Sequence, residues 1–308
     1  MGPTLPLAAG LSSGVCLIMA LSSMAKGVVC AVLAYILWGI LPLYWKLLSF
    51  ASPLHILAFR ILFSLFFVGI ILLLGRNSSW IRLFTDPKKR SLAILSGLVI
   101  TFNWGLYIWA VNTGHTIESS LGYYINPLIS ILLGLIFFKE KLGRLQWVAF
   151  ALACLGVLVI TLLSGTFPWI SLCLALSFGF YGLLKKKLAS GSLESLGAET
   201  LAAAPIGIAL LIFPPNNLGD LTGLSIPAWA GLVSCGIITA LPLFLFGLGA
   251  KLLPLSTLGF IQFISPTFQF FLGIFVFGES FPIQNLAAFG LIWVSVILYS
   301  VSLRIKPQ

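Results

Sequence analysis

Ten runs of about twenty largely apolar residues, parted by short polar turns, leave this sequence very few folds. They fall at roughly 27–47, 53–75, 91–112, 118–138, 144–163, 168–185, 193–213, 226–248, 254–277 and 282–303. A backbone in hydrocarbon must satisfy its own N–H and C=O groups, which leaves only helices or closed barrels. The runs are continuously apolar and lack the ten-residue alternation of barrel strands, so helices are expected. Only 8% of the residues are charged, against about 25% in a soluble domain, and little chain remains outside the runs. The expected fold is an all-α polytopic membrane protein with ten transmembrane helices. Ser52 followed by Pro53, and Phe281 followed by Pro282, supply helix starts for two of them.

Orientation follows from the basic residues, because Lys and Arg are retained on the cytoplasmic side. With the segment before the first span inside, fifteen of the seventeen basic residues fall inside, among them Lys88, Lys89, Arg90 and the triplet Lys185, Lys186, Lys187. Lys46 lies outside and Arg60 within the second span. Both termini are then cytoplasmic, and the charge of +10 records topology. Nucleic-acid binding is not expected, since no folded domain would present the dispersed charges. Residues 1–26 have no basic n-region and read as a leader outside the spans, and 304–308 as a cytoplasmic tail. The cysteines, Cys16, Cys30, Cys154, Cys173 and Cys235, are scattered among apolar residues with no metal-binding or disulfide spacing. No paired catalytic acids or His-rich motif is present either. Neither an enzyme, a cofactor nor a metal is expected.

The chain repeats itself. Pro127, Gly134 and Glu140 recur at identical spacing as Pro266, Gly273 and Glu279, and LGYYINP is matched by LGFIQFISP. The segment WGILPLYWK has a weaker echo in YGLLKKK. Residues 27–163 thus form one five-helix repeat and 164–303 a second. An odd number of spans turns the second upside down, and inverted repeats give a protein two related conformations, open to opposite sides. That symmetry serves a transporter, whereas a structural or interaction membrane protein has no need of it.

The segments AYILWGILPLYWKLL, NWGLYIWAVNTGHTIESSLGYYINPLISILLGLIFFKEK, LSFGFYGLLKKK and STLGFIQFISPTFQFFLGIFVFGE resemble the RarD-type permeases of the EamA branch of the drug/metabolite transporter superfamily. The resemblance runs from about residue 27 to 303. It implies a ten-span, two-repeat permease of the bacterial inner membrane, with export as the direction of transport. Uptake or exchange of a larger cofactor-like metabolite, and drug permeation, are the alternatives it leaves. The chain departs from the family pattern at Phe59, where His usually precedes the arginine.

Arg60 is the sharpest candidate for a solute contact. It lies eight residues beyond Ser52, about 12 Å into a helix at 1.5 Å per residue. An arginine near the bilayer centre costs roughly 2.5–3.5 kcal/mol even on the lenient insertion scale. No Asp or Glu falls at the centre of a predicted span, so neither a proton-coupling carboxylate nor an acid for a drug cation is expected. A solute carboxylate therefore suits Arg60. Asn103 and Tyr107 share a helix face at i,i+4. Trp38, Tyr124, Asn126, Tyr181 and Gln262 are expected to complete the wall, with Pro127 and Pro266 as kinks or hinges. Glu140 and Glu279 are expected to cap helices or pair with bases, Lys141 or Arg144 being at hand for Glu140. Gly97, Gly134, Gly156 and Gly273 are expected at close helix contacts. The expected partners are a small polar, amino-acid-like solute and membrane lipid, with the chain acting as a monomer or weak dimer.

Overall fold

A computed structural model of the chain describes residues 22–113, 115–165, 167–188, 190–213, 221, 223–278 and 286–303. The described residues are all-α. The helices are α1 (Ser23–Leu47), α2 (Pro53–Leu74), the short α3 (Ser79–Arg82), α4 (Pro87–Asn112), α5 (Thr116–Phe137) and α6 (Arg144–Ser164). They continue with α7 (Trp169–Lys187), α8 (Ser192–Ile212), α9 (Ile226–Leu252), α10 (Leu255–Gln262), α11 (Ile264–Phe275) and α12 (Leu286–Ser302). Ser52 caps α2 by accepting from the His55 N–H, with Pro53 at the first helical position, as its sequence predicts. Asp86 caps α4 in the same manner, accepting from Lys88 and Lys89. The start predicted at Phe281 and Pro282 lies outside the described residues, as do the leader, the tail and Glu279.

Seven stretches among the described residues are long and apolar enough to cross a membrane. They are Ser23–Leu47, Pro53–Leu74, Pro87–Ala110, Arg144–Leu163, Ser192–Ile212, Ile226–Leu252 and Leu255–Phe275. Leu121–Phe137 and Leu286–Ser302 are apolar but shorter. α7 carries three lysines in its last turn. Large apolar side chains such as Leu74, Phe213, Ile226 and Phe275 stand exposed on the outside of the bundle, a surface suited to hydrocarbon rather than water.

The predicted span 254–277 is two helices, α10 and α11, meeting at Phe263. The physical cause lies three residues on. Pro266 has no N–H to return to the carbonyl of Gln262, so the helical ladder lapses there. Pro127, its repeat counterpart, sits inside an unbroken α5.

The packing has a regular pattern. α4 lies against α7 as α9 lies against α1, and α4 against α8 as α9 against α2. α5 packs on α7 as α10 and α11 pack on α1. α2 also packs on α8, α5 on α10 and α6 on α12. Close approach depends on glycine at predicted positions. A Cβ on Gly97 would stand 2.5 Å from the Glu199 carbonyl oxygen, and one on Gly156 2.9 Å from that of Ala288. Backbone cannot yield as a side-chain tip can. Gly97→Ala should therefore lower the unfolding free energy of the purified protein by about 1–3 kcal/mol, the range for overpacking. Denaturant unfolding in detergent measures it, and an unchanged midpoint would show that α4 and α8 can separate freely.

Candidate functional site

A cavity of about 130 Å³ opens where several helices present aromatic and amide side chains. On α1, Tyr35, Trp38, Pro42 and Trp45 are spaced three, four and three residues apart and so share one face of the helix. α4 contributes Asn103, Trp104 and Tyr107, and α5 contributes Gly122, Tyr123 and Asn126. Phe178 comes from α7, while Gln262, Ser265 and Gln269 line the break between α10 and α11. Arg60 enters from the first turns of α2. These positions fall near the last turns of α1 and α4 and the first turns of α2 and α5, so the cavity lies toward one end of the bundle. Its floor is aromatic: Trp38 meets Phe178 with centroids 5.6 Å apart, and Phe246 stacks on Tyr181 at 5.6 Å.

Arg60 is held by its stem and faces. Its Nε donates to Thr239 Oγ1 at 3.1 Å. The guanidinium carbon lies 4.3 Å from the Trp104 ring centre and 4.9 Å from that of Trp45, a cation–π clamp worth about 2 kcal/mol or more when desolvated. Two ion pairs occur among the described residues, and Arg60 belongs to neither. Its terminal nitrogens remain available to a carboxylate, which a planar guanidinium can grip with two parallel hydrogen bonds.

The amides divide their donors and acceptors between protein and cavity. Asn103 Nδ2 donates to the Leu174 carbonyl at 2.9 Å and to Ser177 Oγ at 2.8 Å, which pins α4 to α7. Gln262 Oε1 accepts long bonds of 3.4 Å from Tyr35 and Ser130. Asn126 is buried, and its Oδ1 has no hydrogen-bond partner. Such an orphaned acceptor costs about 1–3 kcal/mol unless a ligand or water meets it.

Six of the predicted wall residues meet here: Trp38, Arg60, Asn103, Tyr107, Asn126 and Gln262. Two do not. Tyr124 points away to donate to the Pro266 carbonyl and pack on Phe289, and its neighbour Tyr123 takes the cavity position, edge-on to Tyr107 at 5.8 Å. One residue turns a helix by about 100°, so the phase of α5 chooses between adjacent tyrosines. Tyr181 is fully buried beneath the floor, donating to Glu199 Oε2 at 3.2 Å. Trp104 lines the cavity beside Asn103, and Trp45 and Gln269 line it without having been expected there. Trp45 was within reach, since it extends the Trp38 face by two turns, and Gln269 follows Gln262 by seven residues.

No Asp or Glu was expected at the centre of a span, and one acid off the centre of its span is nevertheless buried. Glu199, in the predicted span 193–213, is 2% exposed, and its carboxylate accepts from Lys185 Nζ at 2.8 and 3.0 Å. Ser96 Oγ adds a bond of 3.1 Å. Lys185, the last residue of predicted span 168–185 and expected on the cytoplasmic side, is 0% exposed. Three consecutive lysines on a helix point in three directions, and only Lys187 is exposed here. Glu140 also has a different partner. It accepts from the N–H groups of Leu255 and Ser256 at 2.6 and 2.8 Å, capping α10, and pairs with Lys186 rather than Lys141 or Arg144. Gly134 leaves room for that carboxylate, 2.6 Å from where a Cβ would stand. Burial pushes the Glu140 carboxyl up, but the Ser256 and Leu255 N–H groups and the Lys186 charge outweigh it and hold the group below its ordinary value.

Residues 25–162 match the EamA-like transporter family. Protein RarD of Streptomyces exfoliatus is 44% identical over 275 residues, covering 86% of this chain and 85% of its own. An uncharacterized transporter of Pseudomonas aeruginosa is 41% identical over 296 residues, covering 94% and 99%. The chain belongs to the RarD-type EamA transporters. It is a membrane transporter and not an enzyme, and a bacterial multi-pass location is consistent with that family. A crystal structure of 19% identity shares the fold, with a TM-score of 0.71 over 91% of this transporter and 98% of that chain.

Proposed function

We propose that this transporter carries a small polar, amino-acid-like solute across the bacterial inner membrane by alternating access, with export as its direction. The observation that carries this reading is Arg60, clamped between two indoles in a polar cavity with no acid paired to it. A solute carboxylate supplies the missing anion. A volume of about 130 Å³ favours a small solute over a cofactor-like one. The aromatic walls support a second reading, permeation of a neutral aromatic drug stacked on Trp38, Trp45 or Trp104.

Ten spans in two inverted halves are supported by the repeated spacing of Pro127, Gly134 and Glu140 in Pro266, Gly273 and Glu279. The exchange of helix contacts between the halves supports it too. The distribution of basic residues supports an outer position for the cavity and cytoplasmic termini. The aromatic floor then closes the inner end, as an outward-facing carrier requires. Pro127 and Pro266 would serve as the hinges about which the halves rock.

Two experiments test this. A cysteine at Thr113 should react with an impermeant reagent from outside, and one at Lys187 only after permeabilisation. Reaction from the same side would overturn the ten-span arrangement. Purified protein should be stabilised against heat by some amino acids of a metabolite panel, and proteoliposomes should exchange those same compounds. Stabilisation by neutral aromatic compounds alone would favour the drug reading.

A further inference from the structure

Among the described residues that line the cavity, Arg60 is the only charged one. The wall beside it holds acceptors short of donors. Asn103 spends its Nδ2 on the Leu174 carbonyl and Ser177 Oγ, so its Oδ1 is what the amide has left for the cavity. Asn126 Oδ1 has no hydrogen-bond partner, and the soft terminal torsion of an asparagine lets that oxygen turn to the cavity its side chain lines. Both amides stand at one stretch of α7. Asn103 is bonded to Leu174, while Gly122, one turn before Asn126, packs so closely that a Cβ there would stand 3.2 Å from that of Leu174.

Proline adds main-chain acceptors. Pro42, Pro127 and Pro266 each follow a cavity-lining residue by four positions, and so deprive the carbonyls of Trp38, Tyr123 and Gln262 of their helical N–H. Gln269 Nε2 makes good the first, donating to Trp38 at 3.3 Å. Tyr123 lies one turn before Asn126 on the same wall.

We propose that this wall is the subsite for the ammonium group of an α-amino acid, and that Asn126 is the residue that makes the solute's amine obligatory. That role rests on the reading of Arg60 as the carboxylate anchor. An ammonium brings three donors and no acceptor, the complement of the oxygens of Asn103 and Asn126 and the freed carbonyl of Tyr123. A solute with a carbonyl in place of the amine sets oxygen against oxygen. The aromatic floor of Trp38 and Phe178 acts in the same direction, since ring faces attract a cation. Asn103 is the neighbour of Trp104, whose ring centre lies 4.3 Å from the Arg60 guanidinium carbon. The acceptors therefore begin beside the anchor, as two groups borne on one carbon require.

Purified protein in detergent is titrated with the L-amino acids, each beside two analogues. The α-keto acid replaces the amine by a carbonyl, and the amino amide keeps the amine but loses the carboxylate. The concentration giving half-maximal thermal stabilisation is read for each. Wild type should hold the amino acids that bind about tenfold or more tightly than their keto acids, as one hydrogen bond to a charged group allows. Asn126→Leu, close in size but without an acceptor, should weaken the amino acids about ten- to hundredfold and leave the keto acids within about twofold. A merely structural role would weaken both alike. Should that variant fail to fold, Asn126→Ala removes the same amide without adding bulk and reads the same ratio.

A wild type that binds keto acid as tightly as amino acid overturns the proposal, whatever the variants do. So does a ratio unchanged in the folded variant, or a panel in which no amino acid stabilises the wild type. The amide arm reports on Arg60 separately. Amides that bind as tightly as the acids overturn the carboxylate reading, whereas acids that bind equally with or without an amine leave that reading standing and overturn only the role of Asn126.

Discussion

Arg60→Gln should weaken transport of a carboxylate-bearing solute roughly ten- to hundredfold while leaving that of its amide little changed. The estimate takes a charge-assisted hydrogen bond at about 1.5–3 kcal/mol, with 1.4 kcal/mol for each factor of ten. Glutamine keeps a donor at the site but gives up the charge and the fork. Arg60→Lys should fall between, because an ammonium keeps the charge but cannot match the guanidinium's two parallel bonds or its fit between Trp45 and Trp104. Concentration-dependent uptake into proteoliposomes, at matched protein content, checks both. Equal discrimination between acid and amide by the wild type and Arg60→Gln would remove Arg60 as the anchor. Loss of folded Arg60→Gln would assign the arginine a structural task, through its bond to Thr239 and its two indole contacts.

Lys185→Met should destabilise the protein by about 3–5 kcal/mol, the cost of leaving one member of a buried ion pair uncompensated. Glu199 would keep its bonds from Tyr181 and Ser96 but lose its countercharge. Adding Glu199→Gln should restore most of the loss, since a buried neutral amide beside an apolar side chain needs no partner ion. Denaturant unfolding in detergent of the two single variants and the double variant gives the coupling energy directly. A double variant as unstable as the sum of the singles would show that the two side chains act independently, against their contact at 2.8 Å.

The sequence was most informative where physics acts locally. The helix start at Ser52 follows from a hydroxyl preceding an apolar run with proline at its head. The cavity face of α1 follows from spacing alone, and Arg60 stands out because a lone guanidinium in an apolar run is expensive wherever the helix turns. The break at Phe263 is not implied by Pro266 alone, since Pro127 at the matching position leaves α5 unbroken.

Rotation and partnership were decided elsewhere. Whether Tyr123 or Tyr124 lines the cavity depends on the phase in which α5 meets its neighbours. Adjacent residues differ by about 100°, a difference composition cannot resolve. Nothing in the sequence pairs Glu199 with Lys185 until α7 and α8 pack and exclude water from both. Glu140 found Lys186 and the α10 N-terminus, not the bases next to it in sequence, because a helix end offers aligned N–H groups that a nearby lysine cannot replace. By itself the sequence determined an apolar helical chain, its repeat and the depth of Arg60, since hydrophobic transfer and backbone satisfaction depend on each segment alone. Only the tertiary structure decided which polar side chains face one another, because hydrogen bonds and ion pairs are set over about 3 Å by helices far apart in sequence.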